Sequence, residues 1–420
     1  MILAGVSISL LLDENGIIKK SKDARREYGQ AKANEQEDLS NLSDIIDEAT
    51  AEPTPKVDVN TKAGDNSTIN GKKGNSNNPT IPKNYIPIDT ATSTWGDGST
   101  APSQDSVKHG LVIKDEKNNE WVWVPVPDVT VMCDTSNTTE YTLCGTTGET
   151  AVKTKLYSKT ITIGTDSNKK TISRTTPGTS SSYREPDLVA GSNGAFFDAK
   201  DTYYKTILGD TGTKEQLAQL FVDEYKAMIE SVSKYGGFYI GRYELSEAGV
   251  QKDKATLTKT NWYNLYKKCK ELNASDKVKT QMIWGCQWDV TMNWLISSGA
   301  KTSDEVNKDS RSWGNYNNTS VKADDGTTEI KASGDVQVLN TGKTTFTMAN
   351  NIYDLAGNCY EWTQEADNTD SRALRGGDCN RDGSVIPASY RSSNYPGYDS
   401  GSFGRFSSHF NNKVTLDSRA

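Results

Sequence analysis

Few residues of this 420-residue chain have the types and spacing that covalent chemistry requires. The two histidines, His109 and His409, stand alone, and the six cysteines are scattered along the chain. There is no glycine-rich phosphate loop, no hydroxyl or thiol nucleophile with a plausible histidine base, and no Cys/His cluster at zinc spacing. Acidic pairs are plentiful, but spacing alone does not set two of them across a substrate. An isolated histidine reads as a structural or solvated residue. The sequence therefore does not lead us to expect catalysis.

Recognition is the chemistry that the composition favours. Between Arg375 and Asn412, the aromatic residues Tyr390, Tyr395, Tyr398, Phe403, Phe406 and Phe410 alternate with Ser, Gly, Asn and Asp. Antibody paratopes use the same mixture, in which tyrosine supplies broad amphipathic contact for few rotatable bonds and small polar residues supply adaptable hydrogen bonds. From Ala366 to Asn412 there is no Lys, Glu, Gln, Met or Trp. Those types make up about one residue in five of the chain, so such a run arises by chance with a probability on the order of 10⁻⁴, or roughly 10⁻³ after allowing for choice of window. The ligand-contact candidates are Asp378, Asn380, Arg381, Asp382, Tyr390, Ser392, Ser393, Asn394, Tyr395, Tyr398, Asp399, Ser402, Phe403 and Arg405. An ordinary Ser/Gly/Asn-rich surface loop is the alternative.

Such a face needs a scaffold. The chain is long enough for two or three domains with one sizeable core, while a hydrophobic fraction of 34% leaves room for linkers and solvated inserts. A net charge of −7 and the lack of a basic stripe argue against nucleic-acid binding. The even number of cysteines is compatible with secreted disulfides. The first dozen residues, MILAGVSISLLL, are apolar but too few to span a bilayer. A helix follows, with Leu39, Leu42, Ile45 and Ile46 at helical spacing and Pro53 beyond its end. Residues 50–80 read as a flexible linker without apolar periodicity. The folded body is expected over 81–413, followed by a tail at 414–420. Val122, Val124 and Val126 share one face of a strand, and KYGGFYIGRYE reads as a buried strand. One helix carries Leu217, Leu220, Phe221, Met228, Ile229 and Val232, with Thr213 and Gln216 as its capping box. A second carries Trp262, Leu265, Tyr266, Cys269 and Leu272. Residues 128–186 form a Thr/Ser-rich insert with an expected hairpin, in which Cys133 and Cys144 are close enough to staple a loop. Trp284, Trp288, Trp294 and Trp362 are expected in the core.

Five short motifs now stand in order: GGFYIGRYE from Gly236, MIWGCQWDVTMNWL from Met282, SWGNY from Ser312, NIYDLAGNCYEWT from Asn351 and RALRGGD from Arg372. In this order the chain resembles formylglycine-generating-enzyme-like (sulfatase-modifying factor) domains. The resemblance implies an α+β, C-type-lectin-like fold with short irregular strands and two main helices. It also implies a closing Gly-Phe-Arg, which here is shuffled to Phe403-Gly404-Arg405 and leaves the register of the last strand open. Oxidases of that family hold copper between two cysteines shortly after Arg-Gly-Gly. Here only Cys379 follows Arg375-Gly376-Gly377, and the histidines of the related iron enzymes are missing, so neither copper nor iron is expected. The family's structural calcium corresponds to the loop with Gly357, Cys359 and Glu361, where Glu361 would be the carboxylate ligand. Alternatively, Glu361 hydrogen-bonds buried backbone.

The five missing residue types all have codons that end in a purine. Randomising the adenines of AAC or AAT codons would exclude every one of them. In this respect the chain resembles target proteins of diversity-generating retroelements, which place a variable segment at the end of a C-type-lectin-like domain; here that segment is 375–412. Residues 1–49 resemble the later part of the N-terminal helix of type IV pilin-like proteins, whose upstream processing site would lie before Met1. A short amphipathic helix packed on the body is the plain alternative. Together these features suggest a bacterial, cell-surface or extracellular, non-catalytic protein, pilin-like or adhesin-like and compatible with a prophage origin. Its C-terminal face would bind a protein or glycan ligand, and its helix would associate with a membrane or pilus. The alternatives are a formylglycine-generating-type oxidase with Cys379 as its thiol, and a structural pilus or phage-associated subunit.

Overall fold

Along Glu120–Pro125, Trp121 and Trp123 face one way and Val122 and Val124 the other, and all four are buried. Alternate strand residues point to opposite faces, so the sheet built on this strand is covered on both sides. The structure is a computed structural model that describes residues 54–88, 107–132, 142–143, 152–153, 160–163, 170–173, 205–212, 214–272, 278–368, 371–397, 410–411 and 414–418. The chain divides into two units, Met1–Pro53 and Thr54–Ala420, and all described residues belong to the second. The expected pilin-like helix, Thr213, Cys133 and Cys144 lie outside the described residues.

The described chain opens with β1 (Ser67–Thr68), β2 (Thr80–Ile81), β3 (Ile86–Ile88), β4 (Val112–Lys114) and β5 (Glu120–Pro125). Two short pairs follow, β6 (Thr142–Leu143) with β7 (Val152–Lys153) and β8 (Thr160–Ile163) with β9 (Lys170–Ser173); the second is the hairpin expected in the insert. Next come α1 (Lys205–Leu208), α2 (Lys214–Tyr235), β10 (Gly237–Gly241), α3 (Trp262–Glu271), β11 (Val278–Met282), α4 (Gly285–Ser297) and α5 (Ser303–Asn307). Small pairs β12 (Val321–Lys322) with β13 (Glu329–Lys331) and β14 (Met348–Ala349) with β15 (Ile352–Tyr353) lead to β16 (Tyr360–Asn368) and β17 (Ser371–Arg375). The last strands are β18 (Arg391–Asn394), β19 (Phe410–Asn411) and β20 (Val414–Ser418). The architecture is α+β. A six-stranded antiparallel sheet runs β11-β20-β10-β5-β4-β3, and a four-stranded sheet runs β18-β17-β16-β19 with only the last pairing parallel.

Helices cover the two faces of the larger sheet. Trp121, Trp123, Tyr239 and Leu416 share one core cluster with α3, whose Trp262, Leu265, Tyr266 and Cys269 recur at helical spacing. The Asn261 side chain caps this helix by accepting from the Asn264 N–H. Val122, Val124, Phe238 and Ile240 share the other cluster with Trp288 and Leu295 of α4 and with Trp284 at its N-cap. Helix α2 contributes to both, giving Leu217 and Phe221 to the first and Met228, Ile229 and Val232 to the second. The four expected core tryptophans are all buried.

Three expectations are corrected. The segment 50–80 is not a linker throughout, because from Thr54 the chain is built into the body and buries Val57, Ala63 and Ile69. These apolar residues are isolated in sequence, so no periodicity announces them. Their backbone is satisfied by long-range bonds such as Val57 N–H to Thr68 O (3.0 Å) and Ala63 N–H to Tyr85 O (2.9 Å). The tail expected at 414–420 is corrected over its described residues, 414–418, because β20 lies between β10 and β11, with Leu416 opposite both Tyr239 and Thr280. Finally, α4 is a third substantial helix. It is buried nearly all round, so it lacks the amphipathic stripe by which a helix is read from sequence.

Candidate functional site

The candidate face stands on a buried base of charge. All of β17 is buried, and Arg375 at its end pairs with Asp289 of α4 and donates to the Ser389 carbonyl at 3.1 Å. Asp289 also takes Arg391 of β18 at 2.6 Å, and Arg391 reaches Glu365 of β16 at 3.0 Å. One network therefore joins α4, β16, β17 and β18. Removing a member would strand a buried charge, which typically costs more than such a pair contributes when intact. Beside it, the Arg372 guanidinium lies over the rings of Phe221 and Trp262, with centroids at 5.3 and 5.0 Å, and donates to the Gln364 carbonyl at 2.7 Å.

Beyond Arg375 the chain turns sharply, and the paired glycines are what allow it. Gly376 and Gly377 have φ of +83° and +78°, a region that side chains resist. A Cβ on Gly376 would lie 2.5 Å from Glu361 Oε2, and one on Gly377 would lie 2.9 Å from both the Ile386 carbonyl and the Tyr316 ring. Tyr316 is the post against which this turn is laid. It is fully buried, donates its hydroxyl to the Gly376 carbonyl at 2.9 Å, and packs where any Cβ on Gly383 would clash.

The segment after the turn is stitched to the loop that follows Tyr316. Asn317 N–H donates to the Arg381 carbonyl at 3.0 Å, the Asn317 amide donates to the Asn380 carbonyl at 3.2 Å, and Gly383 N–H donates to Asn318 Oδ1 at 3.3 Å. Asp382 folds the tip by accepting from Ser384 N–H at 2.7 Å and Ser384 Oγ at 2.6 Å, and these bonds hold its carboxyl below the usual range. Tyr316, Asn317 and Asn318 are the positioning residues that sequence reasoning missed. The SWGNY motif ends on Tyr316, leaves out Asn317 and Asn318, and gives no hint of their partners.

The structure sorts the predicted contact residues into groups. Tyr390 and Tyr395 are exposed (36% and 40%), as is Arg381, while Asn380 and Asp382 are partly exposed. Ser392, Ser393 and Asn394 are partly exposed on β18, at the end of its sheet's strand order. Asp378 is corrected: it is fully buried and accepts from the Asn380 N–H at 3.3 Å, so it shapes the turn and does not reach a ligand. Tyr398, Asp399, Ser402, Phe403 and Arg405 lie outside the described residues. Exposure also adds Val385, which was not among the candidates. Of the four exposed large hydrophobics among the described residues, Val385, Tyr390 and Tyr395 fall within this segment. The fourth, Val336, follows Gly334, whose N–H donates to the Asn317 carbonyl.

The candidate metal residues Gly357, Cys359 and Glu361 lie behind the turn. Gly357 has φ +70° and donates its N–H to the Gly376 carbonyl at 2.9 Å, and Cys359 and Glu361 are fully buried. No group of three or more His, Cys, Asp or Glu side chains able to hold a metal occurs among the described residues. A calcium site here would therefore need Glu361 to be supplemented mainly by carbonyls, of which Leu355 O lies near Gly376 on the same side as Glu361 Oε2. Asn358 is the hub of this region. Its amide donates to Glu244 at 2.6 Å, its Oδ1 accepts from Asn315 and from Leu339 N–H, and its carbonyl accepts from Cys379 N–H at 3.0 Å. Cys379 is itself fully buried, and burial together with the neighbouring Asp378 pushes its thiol up to about 12. The thiolate, which is the nucleophilic form of a cysteine, is disfavoured in this environment.

No protein-family model matches the sequence, and no curated protein matches it. Among solved structures, the chain is similar to Treponema denticola variable protein 1, with a TM-score of 0.20 and 15% identity over 35% of this chain. The match spans 50% of that protein's chain, and the likeness is too shallow to assign a fold or a function.

Proposed function

We propose that this chain is a non-catalytic, surface-displayed binding protein. Its C-terminal face, carried on a C-type-lectin-like domain and diversified by a retroelement, recognises a protein or glycan ligand. One observation carries the reading: the run 366–412 lacks all five residue types whose codons end only in purines, and the described part of that run includes an exposed, tyrosine-bearing segment on a rigid base. Ordinary loop composition has no reason to produce that exclusion. The weak likeness to a variable protein agrees with this reading but does not carry it. The burial of Cys379 gives no support to an oxidase built on that thiol.

Sequencing the gene's locus tests the proposal. A reverse transcriptase gene and a near-copy of the 375–412 coding segment, differing from it at adenines, are expected nearby. A locus with neither would overturn the retroelement reading. The calcium expectation belongs to the same proposal, with Glu361 as carboxylate ligand; stoichiometric calcium in dialysed protein, lost in Glu361→Gln, is the expected outcome.

A further inference from the structure

Outside the run with excluded residue types, one charged side chain is enclosed in an unusual way. Lys331, at the end of β13, is only 2% exposed, and its ammonium donates to the backbone carbonyls of Tyr316 (2.8 Å), Thr319 (2.8 Å) and Ala332 (3.3 Å). The acidic and titratable groups around it are Glu329, Asp335 and the Cys379 thiol, and none of them is an ion-pair partner among the described residues. The charge is thus met by the negative ends of converging peptide dipoles and by no carboxylate in contact.

Three carbonyls aimed at one point repel one another unless a cation, or a group with three donors, sits between them. A primary ammonium supplies both the charge and the three N–H bonds, whereas a water has only two donors. We infer that the Tyr316, Thr319 and Ala332 carbonyls form an ammonium-binding cage, filled in cis by Lys331, that sets the turn on which the candidate binding face is laid. Tyr316 and Thr319 bracket that turn, and Thr319 N–H closes it on the Tyr316 carbonyl at 3.2 Å. The same turn presents the Tyr316 hydroxyl to Gly376, the Asn317 N–H to Arg381 and the Asn318 side chain to Gly383. Lys331 is therefore a positioning residue for 376–383, acting through 316–319. The cage stands on its own geometry, and only its relevance to ligand binding rests on the proposed function.

Chemical rescue tests the cage without any ligand. Lys331→Ala removes the atoms of n-propylammonium and leaves their space behind. Amide hydrogen exchange in 315–320 and 376–384 should quicken at least tenfold in Lys331→Ala. Millimolar n-propylammonium should slow it again, and n-propanol should not. Lys331→Met, which keeps the packing without the charge, should exchange as fast as the alanine variant. Should the alanine variant fail to fold, Lys331→Met and the wild-type protein still decide the matter. In wild-type protein carrying ¹⁵N-lysine, one slowly exchanging ammonium signal should be visible at neutral pH and vanish in Lys331→Arg. Wild-type exchange rates in Lys331→Met, or no slowly exchanging ammonium signal in the wild type, would overturn the inference. Either result would leave the retroelement reading untouched, since that reading is decided at the gene locus.

Discussion

Residues 371–379 and 380–395 belong to the same compositionally restricted run, yet they live in different environments. Every residue from Ser371 to Cys379 is buried, whereas most of those from Asn380 to Tyr395 are partly or fully exposed. The first stretch is a strand flanked by β16 and β18 and then a glycine turn pressed on Tyr316, so its side chains have nowhere to go but inward. The second is a stitched loop and a strand at one end of its sheet, held by backbone bonds and by the Arg391 side chain, while most of its other side chains are partly or fully exposed. A face can tolerate change where backbone bonds hold it. Where side chains hold it, change breaks it.

Substitutions should separate the two stretches, and the largest effect belongs to the base. Arg375→Ala leaves Asp289 short of a buried partner and should cost about 3–5 kcal/mol of stability, read as a fall in the urea midpoint at constant slope. A cost below about 1 kcal/mol would show that the network is not the base proposed here. Gly377→Ala comes next. Its left-handed backbone alone should cost about 1–3 kcal/mol, and the contacts with Ile386 and Tyr316 should add to this. Tyr316→Phe removes one of two donors to the Gly376 carbonyl, the other being Gly357 N–H, and should cost about 0.5–1.5 kcal/mol.

On the displayed stretch the expectation reverses. Tyr395→Ala and Val385→Ser should change stability by no more than about 0.5 kcal/mol. Tyr395→Ala should weaken binding to a ligand of the native face by about 1–3 kcal/mol, measured by titration calorimetry. A large drop in melting temperature for either variant would make that side chain part of the core and erase the contrast. The smallest effect concerns Cys379. Burial and the neighbouring Asp378 push its thiol up to about 12, so at pH 8 it is held protonated, and it is enclosed besides. Iodoacetamide should leave it unlabelled in native protein and label it after denaturation. Raising the pH towards 12 should increase native labelling.

Much of the scaffold is legible where pattern and environment agree. The strand at Val122, the strand of KYGGFYIGRYE and the helices α2 and α3 show their period, because each has one or two well-defined buried faces, and the insert's hairpin is found where its alternating Thr/Ile run places it. Where burial is total or sparse, the pattern vanishes. Helix α4 is wrapped by core and shows no stripe, while Val57, Ala63 and Ile69 are single anchors in a polar stretch. In the candidate site, the exposed tyrosines were legible from composition. The burial of Asp378 and the cage around Lys331 were not, since the glycine turn before Asp378 is bonded to Tyr316, sixty residues earlier, and the cage is made of carbonyls that carry no residue identity at all.

The sequence by itself determined the chemistry on offer: tyrosines among small polar residues, paired glycines that permit a reversed turn, and a long run from which five residue types are missing. Only the tertiary structure decided which of those residues face outward. The C-terminal strand β20 shows this most plainly. Five residues that read as a tail become part of the six-stranded sheet because β10 and β11 leave room between them. Strand pairing joins backbone groups common to every residue, so a five-residue strand with one core side chain among its described ones, Leu416, carries little sign of its place until the edges it meets are in position.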